Sequence, residues 1–307
     1  MDRIPCFLAP MAELSHRGLR ELIEEFGGCN EYFTEMISAG GLLAEGPFEK
    51  FYIDTGPRPE KTVFQLVGGA LSPMVKAAGI LDKLDCAGID INMGCSAPII
   101  RKSGAGAAWM SDIDRAGELI SGVRSVVKRR LSVKLRIGLK DDFEYLARFC
   151  RRLESAGADM ITLHPRLITE KFKRRARWDY VSALKRELGI PVAGNGDIIT
   201  AEELAQRTNN KLCGCDAVMV GRAAVRQPWI FAKVLDPALS PNIEQTGFRF
   251  LELLARYQPP EFHVSRAKRF FGFFCDNLKW GNFVKNKLNR EETLAGIERV
   301  WKAGVSV

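Results

Sequence analysis

Short runs of apolar and β-branched residues recur along the chain at IPCFLAP (4 to 10), EYFTEMI (31 to 37), TVFQLV (62 to 67), GIDIN (88 to 92), LSVKLRI (131 to 137), MITLH (160 to 164), IPVAGN (190 to 195) and DAVMVG (216 to 221). Near-continuous hydrophobicity over so few residues is the pattern of parallel strands buried on both faces. Between the runs lie stretches of helical period, among them HRGLRELIEEFG, SPMVKAAGILDKL, DRAGELISGVRSVVKRR, DFEYLARFCRRLESAG, YVSALKREL and TAEELAQRT, several opening on Ser, Asp or Thr where a helix needs a cap. Eight strand and helix units over about 230 residues predict an α/β fold, a (β/α)8 TIM barrel rather than an open doubly wound sheet. Strand starts recur about every 27 to 30 residues except after the fourth, where the gap is about 43. The added length is the segment holding Cys95 and SGAGAAW, whose small residues suit a lid or a close backbone approach to a ligand.

Beyond the eighth unit the pattern becomes purely helical, as in SRAKRFFGFFCDNLKW. The expected organisation is a barrel over residues 1–238 and a small all-helical domain over 239–307. Residues 240–307 carry eleven Lys/Arg against seven Asp/Glu, a net +4 that is half the excess of +8 in the whole chain. With Lys171, Lys173, Arg174, Arg175 and Arg177 in the loop after the sixth strand, this predicts a basic wall beside the barrel mouth and a polyanionic partner.

Composition excludes several classes. At 46% hydrophobic residues the chain is not disordered, and no run approaches the roughly 18 apolar residues of a membrane helix, so a cytoplasmic protein with no membrane partner is expected. The eight cysteines sit mostly inside apolar runs and read as reduced, small hydrophobic residues. Cys213 and Cys215 form the only close pair, with no second pair or histidine nearby, and no metal site is expected.

In such a barrel chemistry sits at the carboxyl ends of the strands. Those ends hold Ala9-Pro10-Met11, Glu35-Met36, Gln65, Asn92 with Cys95, Lys134 with Arg136, His164 with Arg166, Asn195-Gly196-Asp197 and Gly221-Arg222. His16 and His263 read as surface residues. GNGDI and VGRAAV place glycines and Arg222 after the last two strands, where barrels commonly hold phosphate. Neither GAGAAW nor GNGDII completes a dinucleotide fingerprint, so no separate nicotinamide domain is visible.

Taken in order, APMAELSHRGLREL, FTEMISAGGLL, FQLVGG, DINMGCSAPIIRKSGAGAAWM, SVKLRIG, ITLHPR, VAGNGDI and VGRAAVRQPWIF resemble the tRNA-dihydrouridine synthases of bacterial type, flavin enzymes that reduce uracil in transfer RNA. The resemblance runs through residues 4 to 232. It implies FMN as cofactor, NADPH or NADH as electron donor, tRNA as partner and a monomer in solution. It further implies that Ala9, Pro10 and Met11 line the flavin ring, that Gln65 bonds its pyrimidine edge, and that Lys134 stands by N1 and the C2 carbonyl. His164 matches a histidine near ring and phosphate, and Asn195, Gly196, Asp197, Gly221 and Arg222 match the ribityl and phosphate clamp. Cys95 matches the proton donor to uracil C5, Asn92 the residue that holds uracil, while Arg136 and Arg166 are expected to reach the substrate and Arg266, Lys268 and Arg269 the tRNA backbone. An ordinary thiol titrates near pH 8.5 and is mostly protonated at neutral pH, which suits an acid.

The chain departs from that pattern at Ser96, where the family usually has proline, at Glu13, where glycine commonly follows APMA, and at Arg174, which replaces a common glycine. Two other readings stay open on sequence alone: a flavin-dependent reductase or dehydrogenase of a free pyrimidine, and a tRNA-binding folding factor without turnover.

Overall fold

Eight parallel strands close into a barrel, β1 to β8 in chain order with β1 pairing β8, in the computed structural model of the chain, which describes residues 3–170, 174–209 and 214–305. They are β1 Cys6–Leu8, β2 Glu31–Ser38, β3 Thr62–Val67, β4 Gly88–Met93, β5 Arg130–Gly138, β6 Met160–Leu167, β7 Val192–Asn195 and β8 Ala217–Val220. All eight expected strands are present. β1 and β7 start later than their apolar runs because Pro5 and Pro191 have no N–H to give to a ladder. β5 and β6 run longer than expected, so Arg166 too lies within β6 and not past its end.

Helices α1 Arg17–Glu25, α2 Leu71–Leu81, α3 Ile113–Arg124, α4 Phe143–Ser155, α5 Trp178–Glu187 and α6 Ala201–Thr208 cover the barrel. Their starts follow the sequence: Asp112 and Asp142 accept from the N–H groups of Arg115 and Tyr145, and Thr200 with Glu203 forms a reciprocal capping box. Alternate strand residues point inward. Phe7, Phe33, Val63, Met160, Ala193, Ala217 and Met219 form a dry interior layer, below which Arg130 of β5 meets Glu31 of β2 across the barrel in a bidentate pair at 2.5 Å. This plug leaves the opposite, carboxyl end as the open one.

The C-terminal region folds as α7 Ile230–Leu235, α8 Ile243–Tyr257, α9 Pro260–Phe274, α10 Gly281–Leu288 and α11 Leu294–Val305. Phe250 stacks on Phe270 at 3.6 Å between ring centroids, and Phe271, Phe274 and Trp301 close the cluster. Gly247 is bare because Trp301 occupies its face: a Cβ there would lie 2.3 Å from the indole. These helices share one hydrophobic core with the barrel's helical coat. His16 corrects the sequence expectation. It is buried beneath α8, its ring 5.9 Å from that of Phe250, and both burial and the positive charge of Arg266 and Arg20 hold it neutral.

Candidate active site

The open end of the barrel holds a cavity of about 540 Å³, a size that suits a cofactor. Ala9, Pro10, Met11, Lys134, Arg136, His164, Arg166, Asn195, Gly196, Asp197, Gly221 and Arg222 all line it, so residues scattered over 214 positions of sequence meet in one place. Ile198, Ile199, Arg226 and, from the C-terminal helices, Phe273 and Asp276 complete the wall. Arg226, Phe273 and Asp276 were missed by the reading of strand ends because they lie on helices, and only the docking of α9 brings the last two near.

One wall is strongly cationic. Lys134 is half-buried in the cavity wall, and desolvation, with repulsion from Arg136, brings its ammonium down to about 8 while Asp90 pulls the other way. His164 is pushed down to about 2 by burial and then by Lys134, Arg136, Arg166 and Arg222. It is therefore a neutral imidazole. Its Nε2 lies 3.0 Å from Arg166 Nη1, which can only donate, so the ring proton belongs on Nδ1.

Arg166 is itself a brace: Nε donates to the Arg174 carbonyl at 2.6 Å and Nη2 to Asp197. Asp197 stands at φ 53 and Gly196 at φ 125, a left-handed turn held by Asp197 Oδ2 accepting from Ala176 N at 2.6 Å. Asn195 donates to the Met219 carbonyl at 2.8 Å, tying β7 to β8 beside Gly221. Glu13 has φ 65, which explains why glycine suits that position, and its N–H donates to Glu35 at 2.6 Å.

Cys95 follows β4, half-exposed and outside the cavity's lining, near Lys134 and Arg136. Its N–H donates to Asn92 Oδ1 at 2.9 Å, and its carbonyl accepts from Ala107 at 3.0 Å. Arg136 Nε donates to the Gly94 carbonyl at 3.1 Å. The long segment that follows is a short helix Pro98–Lys102 and a 3₁₀ run Gly106–Ser111. Pro98 takes the first helical turn, where its missing N–H costs nothing. The glycines serve packing of the chain on itself: a Cβ at Gly106 would stand 2.8 Å from the Cys95 carbonyl, and one at Gly69 1.9 Å from the Ser103 carbonyl.

Gln65 and Asn92 lie one layer deeper. Gln65 is fully buried and donates to Asp90 at 2.7 Å, and Asn92 donates to Gln65 at 2.8 Å. Asp90 was overlooked in the sequence, although a carboxylate inside an apolar strand, two residues before Asn92 and thus on the same inward face, was the available signal.

Arg266 is a correction. It is 2% exposed and pairs at 2.5 Å with Glu35 of β2, so its guanidinium is not available to a nucleic acid. Within α9, Lys268 is half-buried and Arg269 exposed, as a surface role requires. In the loop after β6, Arg174 and Arg175 are exposed, whereas Arg177 is held by Glu170 at 2.7 Å; Lys171, Lys173 and the cysteine Cys213 lie outside the described residues.

A sequence profile described as "Dihydrouridine synthase (Dus)" matches residues 7–270. A "Probable tRNA-dihydrouridine synthase" of Rhodobacter capsulatus is 30% identical over 284 residues, 89% of this chain and 86% of that protein. "tRNA-dihydrouridine synthase B" of Pseudomonas aeruginosa is 27% identical over 292 residues, 92% and 87% of the two chains. Among solved structures, a variant of NCR from Zymomonas mobilis superposes with a TM-score of 0.52 at 14% identity, covering 84% of this chain and 92% of that one, a likeness of fold alone.

Proposed function

Because this chain belongs to the dihydrouridine synthase family, we propose that it is an FMN-dependent oxidoreductase that reduces the C5–C6 double bond of a uridine in tRNA with a nicotinamide donor. The observation that carries the reading is one cationic cavity lined by Lys134 and Arg136, with Arg136 bound in turn to the Gly94 carbonyl of the Cys95 turn. The residues present fit a flavin mononucleotide. Ala9, Pro10, Met11 and Met219 offer an apolar wall that Gly221 leaves bare, and Lys134, Arg136, Arg166, Arg222 and Arg226 outnumber Asp197 and Asp276 among the described lining residues. Such a surplus suits one phosphate and an electron-rich ring.

When bound, the reduced flavin supplies hydride to uracil C6. Cys95 Sγ gives its proton to C5, so the base gains two hydrogens and the thiolate takes a proton back from solvent. Lys134 supplies a fixed positive charge in a site of low dielectric, and Arg136 holds the Gly94 carbonyl so that the Cys95 turn keeps its place. Asn92 anchors that turn from beneath. The uracil has to leave its stack to enter the mouth. Arg174, Arg175, Lys268 and Arg269 supply basic surface for the tRNA backbone, the last two from the domain assigned to residues 239–307 against a barrel of 1–238.

Incubation with unmodified tRNA and NADPH tests both claims. Native protein should form dihydrouridine, whereas Cys95→Ala should form it about 100 to 10,000 times more slowly while its bound flavin, in a single turnover without oxygen or tRNA, is still reduced by the donor at a near-native rate. Dihydrouridine at the native rate from the alanine variant refutes the role of the thiol. Reduction of free uracil in preference to tRNA refutes the substrate.

A further inference from the structure

We propose that Asp90 is a positioning residue for Cys95, whose carboxylate sets the direction of a buried chain of side-chain amides ending on the backbone of the Cys95 turn. The importance of the turn rests on the reading of Cys95 given above; the chain of bonds does not.

Asp90 is fully buried inside the barrel, where Oδ1 accepts from Ser132 Oγ at 2.6 Å and Oδ2 from Gln65 Nε2 at 2.7 Å. Gln65 Oε1 accepts from Asn92 Nδ2 at 2.8 Å. Asn92 Oδ1 then accepts from two backbone groups, Gly94 N at 3.2 Å and Cys95 N at 2.9 Å. Each amide has a donor end and an acceptor end and would fit its slot either way round. An ionised carboxylate can only accept. It therefore obliges Gln65 to present its NH2 to Asp90 and its oxygen to Asn92, which obliges Asn92 to present its oxygen to the turn. Were the chain reversed, the Asn92 NH2 would face two N–H donors, leaving the buried ends of three bonds unsatisfied.

Charge around Asp90 keeps it an acceptor. Lys134 and Arg130 on β5 favour the ionised form, as do the bonds from Gln65 and Ser132, against the desolvation that raises it to about 6. Both oxygens accept, from Ser132 and from Gln65, as an ionised carboxylate does, and this sets the polarity of the relay. Arg136 on Gly94 and Ala107 on Cys95 hold the other side of the same turn, so Asn92 supplies its inner support.

The test reads the turn directly, in the protein without flavin or tRNA, by hydrogen exchange at the amides of Gly94 and Cys95. Asp90→Asn keeps the shape but removes the acceptor-only end, and should speed exchange at these two amides about tenfold, the equivalent of one hydrogen bond, with amides elsewhere in β4 and β5 unchanged. Adding Gln65→Glu restores an acceptor-only group one step along the chain: the new carboxylate accepts both from the amide introduced at position 90 and from Asn92, and protection should return to within about threefold of native. A role in stability alone would not predict that rescue. Native protection in Asp90→Asn, or a double variant that exchanges as fast as the single one, overturns the proposal. Should Asp90→Asn not fold, Gln65→Met cuts the same chain at its middle: faster exchange at the two amides is expected, and native protection there overturns the proposal. Dihydrouridine formation, measured alongside, should fall in Asp90→Asn. If no variant and not even native protein forms dihydrouridine, the reaction assigned above fails while the exchange data still decide the relay.

Discussion

Lys134 shows what a single residue costs at such a site. Its side chain is half-buried in the cavity wall, and desolvation lowers it from 10.5 to about 8. The folded protein thus binds this proton less tightly than the unfolded chain does. Below pH 8 the charged form costs on the order of 3 kcal/mol, and that cost is relieved as pH rises from 8 towards 10.5, where the unfolded chain still holds the proton. Lys134→Met should therefore raise stability in urea at pH 7 by a similar amount and abolish the gain between pH 8 and 10.5. It should at the same time weaken FMN binding, whose native affinity should decline as pH passes about 8 and the cation is lost. A variant both less stable and unimpaired in FMN binding would contradict this assignment. The trade is the usual one for a functional charge, in which a group unfavourable to folding is kept for what it binds. Lys134 was legible as an inward polar residue in SVKLRIG. The lowered value was not, since it depends on Arg136, Asp90 and the depth of the barrel.

At the scale of the element, the segment after β4 was visible in the sequence as extra length, and its glycines suggested room for a ligand. The structure spends that room on the chain itself. Trp109 Nε1 donates to the Gly68 carbonyl at 2.8 Å, Arg115 to the Gly69 carbonyl at 2.7 Å, and Gly69 lies under Ser103 with no space for a methyl group. A sequence shows that a Cβ is missing but not which neighbour needs it gone. Gly69→Ala should force the segment away from β3 at a cost of about 1–3 kcal/mol, seen in urea unfolding, and should make Cys95 alkylate faster in the folded protein. Unchanged stability and alkylation would mean that the segment shifts freely and does not hold the turn. By contrast, the capping box of α6 was readable outright, because Thr200 and Glu203 act within one helical turn.

At the scale of the molecule, the basic tail separates into residues that hold the fold together and residues that face outward. Arg266 joins α9 to β2 through Glu35, whose other oxygen accepts from Glu13 in the loop after β1. Arg266→Ala leaves that carboxylate buried without its cation and should cost about 3–5 kcal/mol in urea. Lys268→Glu with Arg269→Glu should instead leave stability near native and weaken tRNA binding, each lost phosphate contact lowering the slope of log K against log salt by about 0.7 to 0.9. Equal effects of both changes on stability would erase the distinction. The sequence by itself determined the barrel, its eight strands and the inward polar residues at their ends, because periods of 2 and 3.6 and the caps are set by neighbours a few residues apart. It also determined the family, through motifs met in order. Tertiary structure decided the partners. Arg266 and Glu35 are 231 positions apart, and SRAKRFF reads as a solvated basic face until the barrel offers a buried carboxylate to it. Asp90 likewise gains its role only when closure of the barrel sets β3 and β5 on either side of β4, since charge, burial and hydrogen bonding belong to pairs of residues and not to the order in which they are strung.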